Sequence, residues 1–431
     1  MNPRVAIGSI RRAAGRILPK GLGTLAGANL VSQLIALVAM PVLTRLCSIS
    51  DFGLLQIYVT VTMVAGLVAC LRFEQAVLQP PELEMAGGLT VLSLLASLGT
   101  GVVMLGVVPA LAWLLGTAGW HRISRLTLVV GAAVAVTGMT SAATQWLVRR
   151  GNFQAIARAR LVQSICAATL QLAGGFAGFG GVGLIVGDAA GRLAGLVVLQ
   201  RASGLARYLP RKRADVASLS RLGREYRRFV WIASPSALVN AVGGALPVLI
   251  IERGFGTAGL GVYSLLDRVM SVPTLFVGQP LSQTFSHQLR EALYGAAGAA
   301  RAAIRETVRV ATILGVLPFL ALAAAGPFLV TTVFGERWHL TGQLAQLLAL
   351  PYGVAYVLWP VVPTLMILNR LRTQLVWDVA RVLALLVVGW AVARGLFPLR
   401  GAIAIIAVLM SGFGVIHYGL CLSSVKRQTV P

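Results

Sequence analysis

Apolar residues run along this chain in long blocks, and short polar stretches between them carry most of its charge. Each block has 18 or more predominantly apolar residues, enough to cross a hydrocarbon core of about 30 Å as a helix. Twelve spans are predicted, at approximately 21–43, 54–71, 86–115, 126–148, 159–178, 181–200, 229–250, 259–285, 308–334, 340–368, 374–393 and 401–424. The third, eighth, ninth and tenth exceed the roughly 20 residues a crossing needs, so they are expected to tilt, kink or extend beyond the bilayer. In hydrocarbon the backbone must satisfy its own hydrogen bonds, and a run of apolar spans does this as helices. The predicted class is therefore an all-α polytopic membrane protein.

Composition agrees. The 431 residues are 57% hydrophobic and 12% charged, where soluble domains carry about a quarter charged residues. The net charge of +24 would suggest nucleic acid in a soluble protein. Here it sits in short loops beside spans, where positive-inside bias accounts for it, and no nucleic-acid partner is expected. With the N-terminus in the cytoplasm, 27 of the 37 Lys and Arg fall on the cytoplasmic side and seven on the other. This favours an even number of spans with both termini cytoplasmic. Residues 1–20 hold five positive charges and no acid, and read as a basic lead-in to an uncleaved first span. Residues 201–228 hold nine more and read as a basic linker, in part an amphipathic helix on anionic headgroups. The expected organisation is thus a basic N-terminus (1–20), a six-helix lobe (21–200), the linker (201–228), a second six-helix lobe (229–424) and a short tail (425–431).

The chain is organised around PVLTRLCSISDFGLLQIYVTVTMVAGLVACLRFEQAVLQP, residues 41–80. A polar turn is expected from Thr44 and Arg45 to Asp51, Phe52 and Gly53, then a second span, then a charged exit at Arg72, Phe73 and Glu74. A shift of 206 residues places Pro41 on Pro247, Val42 and Leu43 on Val248 and Leu249, and Gly53 and Leu54 on Gly259 and Leu260. Parallel repeats of this kind recur in transporters, with the substrate path between halves.

T-R-L-x-S-x-x-D-F-G, followed one helix later by L-R-F-E-x-A, resembles the opening of the polysaccharide transporters. These are the oligosaccharide-lipid flippases (O-antigen, Wzx type) of the multidrug/oligosaccharidyl-lipid/polysaccharide exporter superfamily. The second copy, GLGVYSLLDRVMSVPTLFVGQPLSQTF, is similar to that family's eighth span, where Tyr263, a following Arg and a Pro match. Cys47 departs from it, since the family often has an aromatic residue there. The resemblance implies about twelve helices in two lobes around a central cavity, the MATE-like or flippase fold. It implies transport of a polyprenyl-diphosphate-linked oligosaccharide for O-antigen, capsule or exopolysaccharide synthesis in the inner membrane. It also implies polysaccharide polymerase and chain-length proteins as partners. Arg45, Asp51, Gly53, Arg72, Glu74 and Tyr263 are the family-motif residues.

No Walker A loop, Ser-His-Asp arrangement or metal-ligand spacing is present, so neither an enzyme nor a cofactor is expected. The four cysteines form no CxxC, and the four histidines are scattered. Charges inside spans are costly and draw attention: Asp188 and Arg192 four apart, Asp267 and Arg268 adjacent, Asp378 and Arg381 three apart. In one reading Arg192, Arg268 and Arg381 line a water-filled cavity and pair with phosphate oxygens through their planar forks. In the other, each is neutralised by its neighbouring Asp, and the acids are charge partners or coupling-ion sites. An ion-coupled multidrug antiporter would favour an acidic cavity, whereas each of these acids has an arginine close by. A membrane glycan polymerase or ligase would need a large outward loop, and every outward loop here is short. Reporter fusions at both ends are expected to give cytoplasmic signals; opposite signals from the two ends would remove the even span count.

Overall fold

The computed structural model describes residues 20–205, 213–293 and 298–426. It is 91% helical, with no strand among the described residues. Most of the basic N-terminus, the centre of the linker (206–212) and the end of the tail lie outside the described residues.

The long helices are α1 (Lys20–Leu46), α2 (Ile49–Val68), α3 (Leu83–Leu115), α4 (Thr127–Arg149), α5 (Phe153–Phe176) and α6 (Gly180–Ser203). The linker helix α7 (Arg213–Glu225) leads to α8 (Ser234–Pro273), α9 (Gln279–Leu293), α10 (Ala299–Phe334), α11 (His339–Leu358), α12 (Leu371–Ala393) and α13 (Leu399–Lys426). Among the described residues, ten helical stretches are long and apolar enough to cross a membrane. One of them, Ala237–Leu293, is 57 residues long, roughly 85 Å at 1.5 Å per residue and so enough for two crossings. It breaks at Gly256, whose φ of 66° and ψ of −169° are not helical. That break separates the predicted seventh and eighth spans. The predicted fifth span is α5, which is less apolar because it carries Arg158, Arg160, Gln163 and Gln171.

α5 is accommodated by packing. It lies along α6 and α1, and α6 offers it glycines at every fourth position: Gly183, Gly187, Gly191 and Gly195. A Cβ on Gly191 would fall 2.6 Å from Ala167 Cβ, and one on Gly187 would fall 2.7 Å from the Gln171 backbone N. Small residues at this spacing let two membrane helices approach to backbone contact. Two polar side chains of α5 then reach carbonyls inside the bundle: Gln171 Nε2 donates to Leu184 O at 3.0 Å, and Ser164 Oγ to Ser32 O at 2.7 Å.

The helices fall into two compact units. Among the described residues, the first comprises 20–46, 58–114 and 123–241; the second comprises 47–57, 115–122 and 242–426. α2 therefore gives its first two turns to the second unit and the rest to the first.

Two sequence expectations are corrected here. The polar turn expected from Thr44 to Gly53 is shorter: α1 continues to Leu46, and α2 starts at Ile49 with Asp51 to Gly53 already helical. The repeat register is also different where the copies touch. A Cβ on Gly53 would overlap the carbonyl oxygen of Thr257, and a Cβ on Gly261 would overlap that of Ile49. Ser264 Oγ donates to Gln56 Oε1 at 3.0 Å. Positions 49 and 257, 53 and 261, and 56 and 264 are each 208 apart, so the contact is reciprocal. The 206-residue register aligned the prolines at the span ends and missed two residues inserted before the glycines.

Replacement of Gly191 by Leu is expected to wedge α5 from α6 and cost about 1–3 kcal/mol or more, the usual penalty for overpacking. A thermal melt of the detergent-solubilised protein measures this, and an unchanged midpoint would contradict the packing.

Candidate functional site

The motif residues divide into structural and chemical groups. Ser48 caps α2: its Oγ and backbone N both donate to Asp51 Oδ2, at 2.7 and 2.9 Å, and Asp51 N returns a bond to Ser48 Oγ at 3.3 Å. This is a reciprocal capping box, so Asp51 starts a helix. Phe52 is buried edge-on against Trp338, with ring centroids 5.3 Å apart, and Gly53 lets the Thr257 backbone in. Arg45 is exposed in the last turn of α1. Each letter of D-F-G thus has a separate packing reason.

The R-F-E exit differs. Leu71 and Arg72 are consecutive left-handed residues, with φ of 50° and 62°, and such non-glycine conformations cost on the order of 1 kcal/mol or more each. They turn the chain so that Glu74, 4% exposed, lies beneath Arg72 at 3.6 Å. Glu74 Oε2 and Arg72 Nε have no hydrogen-bond partner. Burial raises the Glu74 carboxyl above its ordinary range, against the lowering effect of Arg72.

In the first unit, Arg192 and Asp188 form an ion pair on α6, Nε to Oδ2 at 2.6 Å. Tyr58, fully buried on α2, donates to the same Asp188 oxygen at 3.0 Å. Thr137 on α4 meets Arg192 Nη1 through its Oγ1 at 3.2 Å, while its own proton goes to Ala133 O at 2.7 Å. Three helices therefore hold one guanidinium in a fixed orientation. The pair is not sealed: the two side chains remain 18% and 21% exposed. That combination suits a cation that stays charged inside hydrocarbon and still meets a polar ligand.

In the second unit, Arg381 Nη2 binds Asp378 Oδ1 at 3.3 Å and its guanidinium lies 4.8 Å from the Trp377 ring centroid. Gln374 Nε2 donates to Asp378 Oδ2 at 3.1 Å. Gln374, Trp377, Asp378 and Arg381 fall at i, i+3, i+4 and i+7 on α12, one face of the helix. That spacing is the sequence signal that would have added Gln374 and Trp377 to the candidates. Asp267 and Arg268 lie in the part of α8 beyond Gly256, one turn after the buried Tyr263. Tyr58 and Thr137 carry no signal in the sequence, because only the fold brings three helices to Asp188. Glu252, 1% exposed, was also missed; it accepts from Thr117 Oγ1 at 2.5 Å. A separate cavity of about 410 Å³ among Gly315, Phe319, Gly353, Val415 and Tyr418 is almost wholly apolar, so it offers nothing to a phosphate or a sugar.

The fold is shared with several solved membrane transporters. It superposes on an inward-facing multidrug resistance MATE family transporter with a TM-score of 0.68 at 14% identity, over 94% of this chain and 98% of the other. It superposes on the lipid II flippase MurJ with a TM-score of 0.65 at 11% identity, over 94% and 89%. A MOP superfamily transporter from Pyrococcus furiosus gives 0.62 at 13%, over 96% and 97%. By sequence, residues 42–341 match the family model described as polysaccharide biosynthesis protein, and the chain belongs to that family. It is 24% identical over 322 residues to the succinoglycan biosynthesis transport protein ExoT of Rhizobium meliloti (strain 1021). The match covers 74% of this chain and 62% of that relative's length. The protein is thus a multi-pass membrane protein of the polysaccharide biosynthesis protein family.

Because Glu74 is held above its ordinary pKa, the folded chain keeps this proton where the unfolded chain has lost it. Stability from this group is then present at low pH and falls as pH rises from the ordinary carboxylate range, about 4.3, through the raised folded value. Glu74→Gln is expected to remove that slope, so the variant gains thermal stability over the parent at neutral pH and loses the advantage in acid. Parallel melting curves of parent and variant across pH measure it.

Proposed function

We propose that this protein moves a polyprenyl-diphosphate-linked oligosaccharide repeat unit across the inner membrane during surface polysaccharide assembly. The physical problem is a sugar head and two phosphates that must pass through oil while the lipid tail stays in it. The proposal has two six-helix lobes, 21–200 and 229–424, rocking between inward and outward openings around a cavity lined by Arg192, Arg268 and Arg381. Both termini stay cytoplasmic.

The observation that carries this reading is the Arg192 cluster: a guanidinium aimed by Tyr58, Asp188 and Thr137 and still partly open. Membership of a polysaccharide biosynthesis family and likeness to a succinoglycan transport protein support this substrate class. An antiporter for cationic drugs fits less well, because Asp188 and Asp378 are each engaged by an arginine. A lipid-linked glycan and membrane lipids are the partners in this reading, with a polymerase and chain-length proteins receiving the product.

Arg192→Ala is expected to lower surface glycan by about tenfold or more, the scale of one lost charge-assisted hydrogen bond, at unchanged membrane level. Arg192→Lys keeps the charge without the fork and should recover only part of the loss. Complementation of a deletion strain with each variant measures both; full glycan with alanine at Arg192 would end the assignment.

A further inference from the structure

His417 on α13 is 2% exposed, whereas His121, His287 and His339 are exposed. It stands on the polar face of α12. Its Nε2 lies 3.0 Å from Gln374 Oε1, its Nδ1 3.4 Å from Cys421 Sγ, and its ring centroid 4.8 Å from that of Trp377. Gln374 gives its amide N–H to Asp378, which also binds Arg381. The result is a continuous path, His417 to Gln374 to Asp378 to Arg381, within one unit of the fold.

The contacts fix the protonation state. Gln374 turns its NH₂ toward Asp378, so its carbonyl oxygen faces the imidazole and Nε2 must carry hydrogen. Nδ1 is then a lone pair facing the Cys421 thiol, which acts as a weak donor. We propose that Nδ1 of His417 is a proton-binding site through which transport is coupled to the proton gradient. This rests on the transporter reading above.

Binding needs no co-reactant. A proton from water joins Nδ1, the new N–H donates to Cys421 Sγ, and the thiol hydrogen swings toward Val361 O, 3.9 Å away. The imidazolium stands beside the Trp377 ring, which favours a cation. Burial of the ring and Arg381 oppose the added charge, and Asp378, reached through Gln374, favours it; with Cys421 on its own helix, these are the titratable and charged groups that bear on His417 among the described residues. Because the bound charge sits one hydrogen-bonded residue from the Asp378–Arg381 pair, an anionic headgroup at Arg381 and a proton at His417 shift each other's affinity by the same factor.

Two measurements decide it. In a protein with H121Q, H287Q and H339Q, labelled at the imidazole nitrogens and reconstituted in bilayers, His417 is the one histidine left. Nitrogen NMR is expected to show the Nε2–H tautomer at high pH and conversion to imidazolium as the pH is lowered across the range in which the protein stays folded. A neutral ring throughout overturns the site. In cells making surface glycan, collapse of the pH gradient by nigericin should slow export about fivefold or more, the lower end of typical coupling. His417→Gln should abolish that response. If wild type and H417Q respond alike, or wild type does not respond, coupling at His417 is wrong and the transport reading stands. If a deletion strain keeps full surface glycan, the transport reading falls instead, and coupling through His417 falls with it. The titration uses the native residue, so an H417Q chain that fails to fold leaves the outcome decided.

Discussion

Polar groups inside this fold depend on the chain itself for partners, because a hydrocarbon interior offers no water to supply them. That constraint accounts for where the costly residues are. Asp188 does not stand alone in α6; it receives Arg192 and the Tyr58 hydroxyl on one oxygen. Asp378 receives Gln374 and Arg381, one on each oxygen. Ser164 and Gln171 of α5 reach carbonyls that only a close neighbour can present. Partners this specific hold the helices in one register as well as satisfying the charges.

Close approach of backbones is the second requirement, and glycine meets it twice. Along α5 and α6 a four-residue stripe of glycines admits a helix too polar to face lipid all round. At the start of α2 the reciprocal placement of Gly53 and Gly261 brings two equivalent positions of the internal repeat against each other. A side chain on either would strike a carbonyl oxygen, so the D-F-G motif marks a contact between repeat copies. Its aspartate caps the helix and its phenylalanine packs on Trp338, and both serve that contact.

Arginines that are paired yet partly open unite the candidate chemistry. A guanidinium bound to one carboxylate loses little by exchanging part of that contact for a phosphate, since its five N–H groups span more than one acceptor. The pairing that makes it affordable in oil and the opening that makes it useful are therefore compatible. The α12 cluster adds a histidine to the same arrangement, which places a titratable group beside a candidate substrate cation.

The span pattern, the helical class and the family were legible in the sequence, because crossing a bilayer imposes a length and an apolarity that local composition reports directly. Asp188 with Arg192 and Asp378 with Arg381 were legible for the same reason: helical spacing of four and three puts them on one face. Tyr58, Thr137 and His417 were not, since the residues they meet lie 130, 55 and 43 positions away, and no local pattern encodes contacts at that range. The offset of 208 between touching repeat positions likewise waited for the fold. Sequence alignment follows the best-matched residues at the span ends, whereas the contact follows backbone geometry two residues further on.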